Sequence, residues 1–403
     1  LSAVGVASDR QSPNNIGVIP VYMTRSGIAE SATFPLIEGT THRLAVDAGG
    51  AHDRLFIDVP PGTSSLSIFT NGVDENLNDG LTLELKRLDF ADAFSEPPFA
   101  ASPASAPVLV SADGTGGVAP SITVLGVDPG RWYAVLKNGN DTPAAVEVLA
   151  QLEFEGSPVP IHPGLWSPSS RPTLGQGYEY NWGDTSRALV WYSYDEDGQP
   201  TWYLAGNPVT SANVWTADLL RYTNDGAQQQ AAPVGRVSIT NLAENDAMFS
   251  YTLFGQSGSE RMQPISLLTC PQVDGSGKSY TGLWSPPVAG LGGASVLVNA
   301  QTQSQIHYLY DDAGVPRWLY AQDEGAPPTD SEIPILQFHG YCAVCEPASV
   351  GNNDGEPVGM LQREFSSEAA GAWTLDYLFR SPLSGSAERS ADIVKLTRTL
   401  ECQ

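Results

Sequence analysis

The chain has 403 residues of which 41% are hydrophobic, enough for about two to four separately cored domains. Forty-five acidic against twenty basic residues leave a formal charge of −25, which repels the phosphates of nucleic acids and anionic lipid surfaces, and nucleic acid is not expected as a partner. No apolar run reaches the roughly eighteen residues of a membrane-spanning helix. Forty glycines and thirty-one prolines break up short Val-, Tyr-, Trp- and Thr-rich runs, and no stretch holds helical periodicity for three turns, so the expectation is a nearly all-β protein.

Residues 1–27 read as an N-terminal extension or linker. They open on Leu1 with neither a basic segment nor an apolar run, so the chain is expected to be a processed piece with a signal or further domain upstream. From 28 to 155 the sequence alternates, in His42–Asp47, Asp53–Val59, Ser64–Phe69, Leu81–Leu85, Trp132–Leu136 and Ala145–Leu149. That spacing predicts a jelly-roll-like β-sandwich with Leu55, Ile57, Val59, Leu66 and Ile68 on one core face. Glu96–Pro103 reads as an exposed connection. The runs Asp53–Val59 with Pro61-Gly62-Thr63, Asn78–Leu83 and Asp128–Tyr133 resemble, in order, the bacterial pre-peptidase C-terminal domains. The resemblance implies a non-catalytic sandwich carried by a secreted peptidase, in a family some of whose members bind calcium or matrix polymers. This chain has Asn78-Asp79-Gly80 where the family often has two spaced aspartates. Asp74, Glu75, Asn76, Asn78 and Asp79 offer oxygen ligands to calcium, the only cofactor the sequence suggests, but the same residues also suit a solvated turn.

The rest of the chain is a duplication. Gly164-Leu165-Trp166-Ser167-Pro168 recurs as Gly282-Leu283-Trp284-Ser285-Pro286, and Asp195, Gly198, Pro200 and Trp202 recur 116 residues later as Asp311, Gly314, Pro316 and Trp318. A repeat of this length is a whole domain rather than a solenoid unit. Two modules are expected, at 156–270 and 271–403. In the first, eight strands are predicted near Leu165-Trp166, Gly177–Trp182, Ala188–Tyr194, Thr201–Ala205, Val214–Tyr222, Val234–Asn241, Ala247–Phe254 and Arg261–Leu268. Asp195–Pro200 is predicted to be a hairpin turn in which Gly198 takes positive φ and the aspartates accept local N–H groups. Eight strands in sequence predict an up-and-down antiparallel barrel. The pattern resembles a Gly-x-Trp…Trp-Tyr-x-Tyr-Asp-x-x-Gly-x-Pro-x-Trp repeat of secreted proteobacterial proteins, which implies a lipocalin- or avidin-like strand plan.

Trp166 and Trp284 are expected to plug their barrels. Trp182, Trp191, Tyr194, Trp202, Trp318 and Tyr320 are candidates either for stacking on a sugar or other flat ligand or for cross-strand pairing within the core. Cys270 and Cys402 close their repeats at equivalent places, while Cys342 and Cys345 form a CxxC without a second ligand pair. These four predict structural disulfides of open connectivity, and hence an oxidising, extracellular location. No catalytic constellation stands out: Gly255–Ser259 lacks the spacing of a nucleophile elbow, Gly277-Lys278-Ser279 lacks the rest of a phosphate loop, and the five histidines are scattered.

The expected role is that of a non-catalytic accessory region of a secreted bacterial hydrolase. Its expected partners are an extracellular polymer, the upstream enzyme or itself, and the alternative is a structural subunit of an extracellular filament or surface layer.

Overall fold

The computed structural model describes residues 2–6, 17–21, 34–93, 106–155, 163–169, 177–182, 186–208, 213–226, 228–265, 270–287, 292–299, 302–324, 330–340, 342, 344 and 355–398. Leu1–Ala32 form a unit of their own. Inside that unit Ser2–Val6 and Gly17–Val21 pair as an antiparallel ribbon, with Ser2 opposite Val21.

The described part of Thr33–Gln403 is almost entirely β. Two sheets face each other first. One orders strands Phe34–Pro35, Ala51–Val59, Gly130–Asn138, Leu81–Leu88 and Val108–Asp113; the other orders Thr41–Val46, Ala144–Phe154, Thr63–Gly72 and Ser121–Leu125. The alternation that predicted these strands also sorts their faces, and Leu55, Ile57, Val59, Leu66 and Ile68 all enter one apolar cluster. The anticipated connection at Glu96–Pro103 lies outside the described residues.

The opposite face of the first sheet is buried as well. There Arg131 donates from Nε to Asp58 Oδ1 at 2.8 Å and from a terminal nitrogen to Oδ2 at 2.9 Å, and its guanidinium lies 3.9 Å over the Phe56 ring. Both charges are almost fully excluded from water, so each depends on the other for compensation. Beyond this pair the sandwich meets the first barrel: Asn213 donates to Pro61 O at 3.3 Å, and Val214 joins the sandwich's apolar cluster.

Each module closes into an antiparallel barrel of eight strands. The first runs Gly164–Pro168, Gly177–Trp182, Ser186–Tyr194, Pro200–Pro208, Val214–Asn224, Gln229–Ala243, Asp246–Leu253 and Gln256–Pro264. The predicted strands fall on these, but the sixth begins at Gln229 and the last at Gln256, each five residues before its expected start, the last because Phe254 and Gly255 already turn the chain. The second runs Gly282–Ser285, Gly293–Val298, Thr302–Tyr310, Pro316–Glu324, Asp330–Gln337, Glu356–Phe365, Ala370–Leu378 and Ser386–Lys395. First and last strands pair in both, Trp166 opposite Pro264 and Trp284 opposite Lys395. Trp166 and Trp284 are fully buried in their barrel clusters.

Asp58→Asn keeps the shape of the buried pair but leaves the Arg131 charge uncompensated. Urea unfolding is expected to show a loss of about 3–5 kcal/mol, whereas Asp58→Leu combined with Arg131→Met should recover most of it.

Candidate binding site at the seam between the barrels

A strand with one wet face alternates polar and apolar residues, but Val190–Tyr194 and Ile306–Tyr310 are apolar or aromatic at nearly every position. The barrels explain why. Trp191 and Leu309 point into the lumens, while Val190, Tyr192, Tyr194, Ile306 and Tyr308 point outward into a separate cluster shared by both barrels, together with Trp202 and Trp318.

This seam has a pseudo-twofold axis. Trp318 Nε1 donates to Ser193 O at 2.8 Å and Trp202 Nε1 donates to Leu309 O at 3.3 Å; donors and acceptors are both 116 positions apart. The rings repeat the same relation. Trp318 stacks on Phe338 at 6.0 Å and 27° and meets Tyr194 edge-on at 5.4 Å. Trp202 stacks on Tyr222 at 6.0 Å and 20° and meets Tyr310 edge-on at 5.8 Å. Tyr192 and Tyr308 complete the set, at 5.8 Å from Trp318 and 5.7 Å from Trp202.

The hairpin turns lock the arrangement. Asp195 Oδ1 accepts from the backbone N–H of Asp197 and Gln199, and Asp311 Oδ1 from those of Ala313 and Val315, as the turn chemistry predicts. Gly198 and Gly314 both take φ of +73°. Each then accepts across the seam: Gly340 N donates to Gly198 O at 3.1 Å and Asn224 N to Gly314 O at 3.0 Å. A Cβ on Gly314 would stand 1.9 Å from Asn224 O, so glycine there meets both a backbone and a packing demand. Arg317 ties the two turns together, bonding Asp311 Oδ2 at 2.9 Å and Asp195 Oδ2 at 2.7 Å.

Close to the axis lies Glu179, a fully buried carboxyl that accepts from Ser295, its own counterpart 116 residues on. Ser295 also shares a hydrogen bond with Tyr308 at 2.6 Å. Burial pushes the Glu179 carboxyl up to about 7, opposed by the Ser295 hydrogen bond and by Lys395.

On one side of the axis the seam opens into a groove of about 570 Å³. Its floor is Leu165, Tyr192, Ile306 and Trp318; Tyr320, Phe338 and Ile265 wall it; Ser167, Ser169, Gln263, Ser304 and Gln322 supply its polar groups. No family model matches this chain, and no curated protein matches it. The geometry is therefore what bears on function.

The structure distributes the six aromatic candidates among different places. Trp191 lies in the first lumen against Phe249 at 5.0 Å. Tyr194 and Trp202 are packed in the seam among the other rings of the shared cluster. Trp318 forms the groove floor and Tyr320 its half-buried wall. Trp182 ends its strand opposite Arg187, and its side chain lies outside the described residues. Phe338 and Ile265, which the sequence did not single out, share the wall with Tyr320. Phe338 could have been found by shifting Tyr222 by 116 residues.

The calcium candidates lie in a 3₁₀ turn. Asp74 Oδ1 accepts from Asn76 N and Nδ2, Asn78 Oδ1 from Gly72 N, and Asp79 Oδ1 from Gly117 N. Glu75 occupies the first position of that turn. Among the described residues no group of three or more His, Cys, Asp or Glu is placed to hold a metal. Cys270 and Cys342 are disulfide-bonded, no described cysteine is free, and Cys345 and Cys402 lie outside the described residues.

The two lumens differ. Leu189 and Trp191 of the first become Gln305 and His307 in the second, and the ladder pair Ile239–Phe249 becomes Arg363–Trp373. His307 still meets Trp373 at 5.0 Å, much as Trp191 meets Phe249. Arg363 donates to Gln303, and Gln305, its amide oriented by its neighbours, donates to His307 Nε2 at 3.1 Å and accepts from Arg363. Burial, aided by Arg363, drives His307 down to about 3.

Trp202→Ala and Trp318→Ala are each expected to cost about 3–5 kcal/mol in chemical unfolding, and by similar amounts because each ring fills an equivalent place. Two buried groups also predict the pH profile. Glu179 holds its proton in the fold but not in the unfolded chain between its ordinary 4.5 and about 7, so it lowers stability as pH rises through that window. His307 is neutral in the fold but protonated when unfolded between about 3 and its ordinary 6.5, so it raises stability as pH rises. The slopes, about 1.4 kcal/mol per pH unit each, oppose one another where the windows overlap. Relative to the unsubstituted chain, the melting temperature of Glu179→Gln should therefore climb more steeply with pH between 4.5 and 6.5, and that of His307→Gln less steeply.

Proposed function

We propose that this chain is a non-catalytic accessory region of a secreted bacterial hydrolase, holding an extracellular polymer or surface near an enzyme domain. The observation that carries the reading is the groove. It is a preformed, aromatic-walled concavity of about 570 Å³, within the size range of ligand sites, on a two-barrel body whose seam is already closed. The resemblances to pre-peptidase C-terminal domains and to Gly-x-Trp repeats support the setting, and the disulfide-bonded Cys270 and Cys342 suit an oxidising compartment.

A second reading, a structural subunit of an extracellular assembly, draws on the sandwich. There Val108, Leu109 and Val110 on one edge strand and Leu125 on the other are exposed, and exposed apolar residues on edge strands invite pairing between chains.

Light scattering after size exclusion, combined with co-sedimentation on insoluble cell-wall and matrix polymers, separates the two. The binding reading expects a monomer depleted from solution by at least one polymer. An ordered oligomer that ignores every polymer would overturn it in favour of assembly.

A further inference from the structure

The pseudo-twofold axis allows each groove residue to be compared with the residue at the same place on the other side of the seam. The seam aromatics hardly change: Tyr192, Tyr194 and Trp202 recur as Tyr308, Tyr310 and Trp318. Groove positions on the second module do change. Tyr320, Gln322 and Ser304 correspond to Leu204, Gly206 and Ala188, so a ring, an amide and a hydroxyl face the groove where the other side has two aliphatic groups and a hydrogen. At the seam the aromatic packing is kept while a ring, an amide and a hydroxyl are added at the open groove, which marks those groups as serving something the groove holds.

The lining also specifies chemistry. Among the described residues that line this groove there is no Asp, Glu, Lys, Arg or His, although the chain carries forty-five acidic residues, and none of these lining groups compensates a charged ligand. Tyr320 and Phe338 meet edge to face at 5.8 Å and 77°, presenting half-buried rings to the groove above a Trp318 floor. Around them Gln263, Gln322, Ser167 and Ser169 offer both donors and acceptors at the rim. Apolar flat faces bordered by neutral groups that both donate and accept match a ring with C–H faces and a hydroxyl edge.

Resting on the accessory-binding reading above, we propose that the groove is a binding site for a neutral glycan chain. Tyr320 and Phe338 stack on its sugar faces, and Gln322, Ser304 and Gln263 bond its hydroxyls. The site occurs on one side of the seam, because Leu204, Gly206 and Ala188 leave the opposite side without those groups.

The test is titration calorimetry of the whole chain with neutral hexasaccharides of glucose and N-acetylglucosamine, and with oligogalacturonate as the charged control. The variant Tyr320→Leu/Gln322→Gly installs the residues of the equivalent side, which the first barrel already tolerates, and its melting curve reports folding separately. The expected result is binding of a neutral oligosaccharide that is insensitive to salt, weakened about tenfold or more in the variant. Neutral-glycan binding that the variant leaves unchanged would overturn the groove as the site while the accessory role stands. Retention only on peptide polymers or on oligogalacturonate would overturn the neutral-glycan class and again spare that role. Absence of binding to any polymer, with the chain folded, would sink both.

Discussion

Two indole N–H groups, each bonded to a backbone carbonyl of the other barrel, are the contacts on which the rest of the molecule is arranged. An indole nitrogen buried without an acceptor costs a full desolvation penalty, so the donors fix the register of the barrels and not merely their contact. Once Trp202 and Trp318 are set, the stacked Tyr222 and Phe338, the edge-on Tyr310 and Tyr194 and the two glycine turns follow as equivalent pairs. The seam is thus an isologous interface, of the kind that joins identical subunits, built inside one chain.

Polar groups are buried where that symmetry is broken. Glu179 faces Ser295 rather than another glutamate, which avoids two carboxyls meeting close to the axis. Arg317 spans both turns, while its counterpart is Thr201. The second lumen exchanges Leu189, Trp191 and Ile239 of the first for Gln305, His307 and Arg363, which hydrogen bonds link to Gln303 and through it to the Asp323 carboxylate. Such a network is costly unless its members are paired, and the contact of His307 with Trp373 shows that the ring geometry survives the exchange of residue types.

Much of the fold was legible in the sequence because period-two alternation and turn residues are local signals. The sandwich core from Leu55 to Ile68, the eight strands of the first module and the Asp195–Pro200 turn all follow from neighbours in sequence. The site was harder to see, because a buried tryptophan and a ligand platform carry the same residue type. The distinguishing signal was present in the strand 190–194, which is apolar on both faces and therefore needs cover on both. Alternation cannot say that the cover is the other copy of the module, since that depends on contacts about 116 residues apart. Glu179 was invisible for the same reason: an acidic residue in an acidic chain gives no hint that a strand of the second barrel will enclose it.

The covalent link between the barrels bears on their divergence. In a pair of separate identical subunits, any substitution appears on both sides of the axis at once, so Tyr320 could not exist without a second tyrosine opposite. Joining the halves in one chain removes that obligation. The aromatic rings and indole hydrogen bonds that hold the halves together remain constrained to match, while each groove and each lumen is free to specialise alone. Residues that still agree across the axis thus mark what the architecture requires, and those that disagree mark where the two halves have parted in purpose.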